Sequence, residues 1–177
     1  MVLETERLRL RPWILADAEA LYRYARDPRI GAGAGWATHP NVEYSRRIIR
    51  EVLSLPGTFA VELKEDAGAV GSIGVMTGGR SCLDLPDDEG EIGYWLGAPF
   101  WGRGLMREAV RRLAGYAFND LKLAKLWGVC SEDNLRSKRV LERCGFRTLP
   151  PGALPATVRA SGKYVAVLTE AGYRRIG

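Results

Sequence analysis

The chain has 177 residues, of which 46% are hydrophobic and 27% are charged, and its formal net charge is +5 at pH 7. This length and composition are typical of one soluble globular domain. No apolar run approaches the roughly 20 residues that a membrane-spanning helix needs, and the charged N-terminus does not resemble a signal peptide. One histidine and three cysteines without metal-like spacing exclude a zinc site. We therefore expect a cytoplasmic protein with reduced thiols and no metal.

The positive charge is spread along the chain, and its arginine pairs fall on separate predicted elements: Arg46-Arg47, Arg111-Arg112 and Arg174-Arg175. Aromatic residues do not alternate with these pairs as a stacking platform for nucleic acid would require. The charge therefore favours attraction of a polyanionic cofactor or an acidic macromolecule, and we expect no direct nucleic-acid partner.

The first half of the chain predicts strands alternating with helices. Residues 7–11 alternate between polar and apolar types, which indicates a half-buried strand. Residues 30–40 contain a Gly-Ala-Gly-Ala-Gly run and are predicted to form a loop. The other predictions are helices at 17–26 and, capped by Asn41, at 41–55, with strands at 59–63 and 70–76.

The second half continues the pattern without an internal repeat or a linker. We predict a polar loop at 78–88, strands at 89–96 and 125–130, helices at 104–118 and 134–144, and a hairpin-like tail at 146–168 that is interrupted by prolines. Gly145 stands where a helix C-terminus favours glycine. The predicted class is α+β, with a mixed, mostly antiparallel sheet flanked by helices.

Gly102 and Gly104 lie two residues apart at the predicted junction between the strand 89–96 and the helix that follows. Glycines at such a junction let the backbone bend sharply and expose successive N–H groups at the positive end of the helix. That arrangement suits a phosphate group. An ordinary tight turn is the alternative, because the loop is neither a dinucleotide-binding motif nor a P-loop.

Three separated sequence blocks make the interpretation specific. They are Glu-Ile-Gly-Tyr-Trp-Leu at 91–96, Trp-Gly-Arg-Gly-Leu-Met at 101–106, and Asn-x-x-Ser-x-x-Val-Leu-Glu-x-x-Gly-Phe at 134–146. In order and spacing they resemble the GNAT acetyltransferase superfamily, and most of all its branch of ribosomal-protein N-terminal acetyltransferases. The opening residues 4–12 are similar to the first strand of that branch. The resemblance implies a single acyl-CoA-dependent N-acetyltransferase domain over residues 1–177, with a sheet splayed between the fourth and fifth predicted strands.

The resemblance also implies catalytic roles for two residues. Glu91 corresponds to a strand glutamate that receives the amine proton, usually through water, although Glu89 and Asp88 compete with it by sequence. Ser137 is the candidate acid for the departing thiolate, because the tyrosine that many family members carry in this helix is missing here. A strand-edge carboxylate and a surface serine are the alternative interpretations.

Binding residues for acetyl-CoA follow from the same resemblance. Asn134 corresponds to an asparagine that contacts the pantetheine chain, although asparagine is also a good helix cap. Leu96 ends the strand whose backbone groups pair with the pantetheine amides. Trp36 and His39 are candidate substrate-binding residues, although a loop anchored on the core explains Trp36 equally well. The remaining predicted cofactor-binding residues are Gly102, Arg103, Gly104, Leu105, Met106 and Ser137.

The implied reaction is direct attack of a primary amine on acetyl-CoA in a ternary complex. A protein N-terminal α-amine, such as that of a ribosomal protein, is the preferred acceptor. A polyamine, amino acid or aminoglycoside is the alternative, and a non-catalytic acyl-CoA-binding module is a second. We expect a monomer or homodimer without a membrane partner.

Overall fold

The computed structural model describes residues 1–149 and 163–175. Its strands are β1 (Leu3–Glu4), β2 (Leu8–Arg11), β3 (Thr58–Leu63), β4 (Asp66–Met76), β5 (Glu89–Leu96), β6 (Lys125–Ser131), β7 (Arg147–Thr148) and β8 (Lys163–Thr169). Its helices are α1 (Ala18–Ala25), α2 (Pro28–Ala34), α3 (Val42–Ile48), α4 (Leu105–Asn119), α5 (Leu135–Arg143) and α6 (Glu170–Arg174).

The described strands form one sheet in the order β1-β2-β3-β4-β5-β6-β8-β7. The pairs β1–β2, β2–β3, β3–β4, β6–β8 and β7–β8 are antiparallel, whereas β5 and β6 are parallel. The predicted class is therefore confirmed: the protein is α+β, with a mixed and mostly antiparallel sheet flanked by helices.

The parallel pair β5–β6 corresponds to the fourth and fifth predicted strands, because the short β1 precedes the strands that the sequence predicts. Its registered pairs run from Glu89 opposite Lys125 to Ile92 opposite Gly128. Within these two fully described strands, the pairing covers only the first four residues of each, and β5 continues to Leu96. The splay that the resemblance implies between these two strands stays a prediction.

The chain divides into two compact units. Unit 1 contains Met1–Gly74 and Tyr94–Arg112, and unit 2 contains Val75–Gly93 and Leu113–Gly177. A cluster in unit 1 packs α1 against the sheet through Trp13, Leu21, Ala25, Ile49 and Ala60. A cluster in unit 2 is built from Leu83, Trp127, Val165 and Val167. The prediction of a single domain stays a prediction.

The predicted loop at 30–40 is wrong for its first five residues, which belong to α2. The side chain of Asp27 caps this helix by accepting a hydrogen bond from the N–H of Arg29, and Pro28 occupies the first turn. Gly35 ends it in the left-handed conformation, with φ = 80°. Gly31 allows close packing, because a Cβ there would lie 2.6 Å from the carbonyl oxygen of Trp36. Capping and packing thus outweigh the low helix propensity of glycine.

Two further differences concern helix geometry and short elements. Asn41 caps α3 as predicted, but residues Ile49–Leu53 of the predicted helix form a π-helix, in which Val52 is exposed. The sequence interpretation also missed β1 and α6, which are too short for a periodic pattern. The predicted hairpin of the tail is present as β7 against β8. Its prolines and the segment 150–161 lie outside the described residues.

Among the described residues, no helix combines the length and the apolar character that a bilayer crossing requires.

Candidate active site

The loop between β5 and α4 adopts the bend that its two glycines predict. Gly102 has φ = 77° and Gly104 has φ = 76°, both in the left-handed region that L side chains rarely adopt. A Cβ at Gly102 would meet nothing within 4 Å, and at Gly104 its nearest neighbour would be Nη2 of Arg7 at 3.7 Å. Glycine is therefore required by the backbone conformation rather than by packing, and the surface above the loop is open.

Helix α4 begins directly after this bend, with its positive end at the loop. Its first hydrogen bond runs from the N–H of Glu108 to the carbonyl oxygen of Gly104 over 3.2 Å. Helix geometry therefore leaves the N–H groups of the residues just before Glu108 outside the helical ladder. The side chains of Leu105 and Met106 are buried and anchor the first turn. The fixed backbone amides and the helix dipole together suit the binding of an anion.

Trp101 connects this loop to the end of β5. Its indole N–H donates a 2.7 Å hydrogen bond to the carbonyl oxygen of Leu96, and the guanidinium of Arg29 lies over its ring. The structure thus brings Leu96 together with the glycine loop. The sequence interpretation gave little weight to Trp101, although a tryptophan beside a glycine pair was the available signal.

Beside the loop, an open cavity of about 540 Å³ is lined by side chains from α1, α2 and the segment before Phe100. Two arginines and a tyrosine give its wall a cationic and partly aromatic character. Its lining residues are Arg23, Tyr24, Asp27, Arg29, Ile30, Ala98 and Pro99.

Glu91 lies on β5 and is buried, with 7% of its surface exposed. The hydroxyl of Ser81 and the backbone N–H of Cys82 each donate to Oε2 over 2.8 Å, and the thiol of Cys82 donates to Oε1 over 3.2 Å. Burial and the neighbouring carboxylate of Glu91 raise the pKa of Cys82 to about 11. The predicted base is therefore held by donors of the loop that precedes β5.

Glu89, the competing candidate base, shares a face of β5 with Glu91 because side chains alternate along a strand. Its carboxylate accepts hydrogen bonds from Nζ of Lys125 over 2.7 Å and from the indole N–H of Trp127 over 2.5 Å. These bonds tie Glu89 to β6, which favours a structural role for it.

Asn134 and Ser137 lie together at the start of α5. Oδ1 of Asn134 accepts a hydrogen bond from the N–H of Ser137 over 3.1 Å, which makes Asn134 the N-cap of the helix. The side chain of Ser137 hydrogen-bonds to the thiol of Cys130. Burial raises the pKa of Cys130, and the bond from Ser137 lowers it by a smaller amount.

Trp36 and His39, the candidate substrate-binding residues, lie in an aromatic cluster of unit 1. Trp36 packs edge-on against Trp95, with ring centroids 6.2 Å apart. His39 is buried, and its Nδ1 lies 2.8 Å from the hydroxyl of Ser45. Its ring also packs against Trp36 and Tyr44. This environment favours a packing role for His39, and its contact with substrate stays a prediction.

Comparison with known families agrees with this geometry. The model of the acetyltransferase (GNAT) domain matches residues 7–147. "Uncharacterized N-acetyltransferase p20" of Bacillus licheniformis is 31% identical over 170 residues, which cover 93% of this chain and 92% of the relative. The chain belongs to the GNAT acetyltransferase family and is an acetyl-CoA-dependent N-acetyltransferase.

Solved structures share the fold. "Structure of a putative ribosomal-protein-serine acetyltransferase from Vibrio cholerae" superposes with a TM-score of 0.72 at 23% identity, covering 96% of this chain and 97% of that one. "Mycobacterium smegmatis RimJ in complex with CoA-disulfide" also superposes with a TM-score of 0.72, at 20% identity, covering 96% and 87%. At these identities the likeness establishes the fold alone.

The burial of His39 should make the free energy of unfolding depend on pH. Desolvation lowers the pKa of His39 from its ordinary value of 6.5, so the unfolded chain binds a proton more readily than the folded one. The contribution of a neutral His39 is therefore complete above pH 6.5 and is lost as the pH falls towards the folded-state pKa. We expect His39→Asn to reduce the loss of unfolding free energy between pH 7.5 and pH 5.5 in urea titrations.

Thr38→Asn, at the exposed neighbouring position, serves as the matched control and keeps the wild-type pH dependence. An equal loss of unfolding free energy in wild type and His39→Asn would contradict the neutral, buried state of this histidine.

Proposed function

We propose that this acetyltransferase binds the diphosphate of acetyl-CoA on the backbone amides of residues 102–106. It then passes the acetyl group to a protein N-terminal α-amine, such as that of a ribosomal protein. The observation that carries the proposal is the pair of left-handed glycines, Gly102 and Gly104, under an open surface at the start of α4. Each charge-assisted N–H bond to a phosphate contributes about 1.5–3 kcal/mol. The structure of a fold relative with a CoA derivative supports the choice of ligand.

Glu91 is the proposed general base. Because Ser81 and Cys82 already donate to both of its oxygens, a bridging water is the natural route by which an amine proton reaches it. The donors also hold the carboxylate in one orientation, which a base on a reaction path requires. We propose that Glu91 accepts the proton that the amine loses as its nitrogen forms the new bond.

Ser137 is the proposed proton donor to the sulfur that leaves. Acetyl-CoA supplies the acetyl group as an activated thioester, so the protein must hold the thioester and protonate the departing thiolate. Ser137 carries a hydroxyl on the first turn of α5 beside the thiol of Cys130. In the proposed step its single proton turns from Cys130 to the leaving sulfur, and solvent water replaces that proton. We propose that Asn134, one turn earlier, binds the pantetheine chain while it caps the helix.

Direct transfer in a ternary complex is favoured over an acetylated cysteine. The pKa of Cys82 is raised to about 11, and burial also raises the pKa of Cys130. Thiols with raised pKa values are poor nucleophiles near neutral pH, because the thiolate is the reactive form. A cytoplasmic location, where thiols stay reduced, is part of the proposal.

The preference for an α-amine rests on proton chemistry. An α-amine has a pKa of about 7.7–8.0 and a lysine side chain one of about 10.4. A carboxylate that already accepts three hydrogen bonds suits an amine that loses its proton easily. The printed description of the Vibrio cholerae fold relative points to the same acceptor class.

A thiol-release assay tests the acceptor. We expect a peptide with a free N-terminal serine to give the highest kcat/KM. The same peptide with a blocked N-terminus and an internal lysine gives none, because its amine keeps its proton. Turnover confined to polyamines, amino acids or aminoglycosides would contradict the protein acceptor and support a small amine.

Replacement of the proposed base tests its role. We expect Glu91→Gln to lower kcat about 10²- to 10⁴-fold, the usual contribution of a positioned base, with unchanged calorimetric affinity for acetyl-CoA. Glu89→Gln is the matched control on the same face of β5 and keeps kcat. Loss of kcat in Glu89→Gln alone would reassign the base, and full activity of Glu91→Gln would remove Glu91 from the mechanism.

Asn134→Asp separates the two roles of Asn134. Aspartate caps a helix as well as asparagine does, so the melting temperature stays near that of wild type. The variant loses the amide N–H donors and gains a negative charge, so we expect KM for acetyl-CoA to rise about tenfold. Asn134→Ala is the control that also loses the cap. A wild-type KM in Asn134→Asp would assign Asn134 to capping alone.

A further inference from the structure

The turn between β1 and β2 is bonded to the first turn of α4. Oε1 of Glu108 accepts hydrogen bonds from the hydroxyl of Thr5 over 2.5 Å and from the backbone N–H of Arg7 over 2.9 Å. Oε2 accepts from Nε and Nη2 of Arg7, each over 2.7 Å. The backbone of Arg7 is itself fixed, because its carbonyl accepts from the N–H of Lys64 over 2.9 Å. Two guanidinium nitrogens of Arg7 therefore donate to one oxygen of Glu108, and the backbone of Arg7 is held in place on both sides.

Arg7 also reaches the glycine loop itself. Its Nη1 donates a 3.0 Å hydrogen bond to the carbonyl oxygen of Arg103. In a planar trans peptide the carbonyl and the following N–H point in opposite directions. Fixing the carbonyl of Arg103 therefore fixes the N–H of Gly104 on the side away from Arg7. Without this bond, the freedom of Gly102 and Gly104 would let the peptide rotate.

Charge gives Arg7 a second effect on the same loop. A carboxylate in the first turn of a helix stabilises the helix but repels an anion bound at its N-terminus. Partial burial acts to raise the pKa of Glu108, yet the donors Thr5 and Arg7 together lower it, so Glu108 is ionised at neutral pH. The guanidinium of Arg7 neutralises that charge beside the loop.

We infer that Arg7 is a positioning residue for the diphosphate of acetyl-CoA: it orients the amide of Gly104 through Arg103 and neutralises Glu108. The inference rests on the proposed function, because the proposed function assigns the acetyl-CoA diphosphate to this loop. It concerns coenzyme affinity alone, and neither the amine acceptor nor the proton transfers depend on Arg7.

Two acetyl donors test the inference. S-acetyl-pantetheine carries the thioester without the diphosphate, so it does not need the loop. We expect Arg7→Gln to lower kcat/KM for acetyl-CoA about 10- to 100-fold, through KM, and to leave kcat/KM for S-acetyl-pantetheine unchanged. Arg9→Gln is the matched control, because the side chains of Arg9 and Arg7 are 46% and 45% exposed and both form ion pairs. We expect Arg9→Gln to leave kcat/KM unchanged for both acetyl donors.

Conservative variants separate positioning from loss of structure. Arg7→Lys keeps the positive charge but loses the guanidinium, which donates to Glu108 and to the carbonyl of Arg103 at the same time. We therefore expect a KM for acetyl-CoA between those of wild type and Arg7→Gln. Adding Glu108→Gln to Arg7→Gln restores part of the affinity by removing the unpaired charge. An equal loss of kcat/KM with acetyl-CoA and S-acetyl-pantetheine would overturn the inference and assign Arg7 a structural role. A wild-type KM for acetyl-CoA in both Arg7→Gln and Arg7→Lys would also overturn it. Failure of wild type to bind acetyl-CoA would instead refute the proposed function.

Discussion

The left-handed backbone at Gly102 and Gly104 is the constraint on which the rest of the site depends. For most other residues this conformation costs roughly 1–2 kcal/mol, which favours glycine at both positions. Three anchors hold the bend: the bond from Trp101 to Leu96, the bond from Arg7 to the carbonyl of Arg103, and the buried side chains at the start of α4. These contacts restrict the conformations of a segment whose two glycines would otherwise make it flexible.

The polar residues of unit 2 are organised differently, because each already has a structural partner. Glu91 holds Ser81 and Cys82, and Asn134 caps α5 through Ser137. Among the described residues, no buried side-chain nitrogen or oxygen lacks a hydrogen-bond partner. Such residues combine a structural and a proposed chemical role, so a simple truncation would change both. Isosteric substitutions at these positions change the chemistry while the packing is kept.

Local signals explain why the elements that carry the candidate site could be predicted from the sequence, whereas the roles of its residues stay predictions. The bounds of β5 match the prediction at both ends, Asn134 caps α5 and Gly145 follows it with φ = 84°. A long-range contact explains one failure. The pair formed by Arg7 and Glu108 joins residues 101 positions apart, and no local pattern marks either partner. Two other failures have local causes. The rings over His39 belong to Trp36 and Tyr44, within five residues of it, and α2 is capped by Asp27 directly before it, but the glycine-rich composition of 31–35 favoured a loop prediction.

If the amides of residues 102–106 bind the diphosphate of acetyl-CoA, their resonances in ¹⁵N-labelled protein respond to titration with CoA. We expect large shifts at Gly102, Gly104 and Leu105 with CoA, and at most small ones there with pantetheine, which lacks the diphosphate. Saturable CoA binding that leaves these three amide resonances unmoved would contradict binding of the diphosphate there.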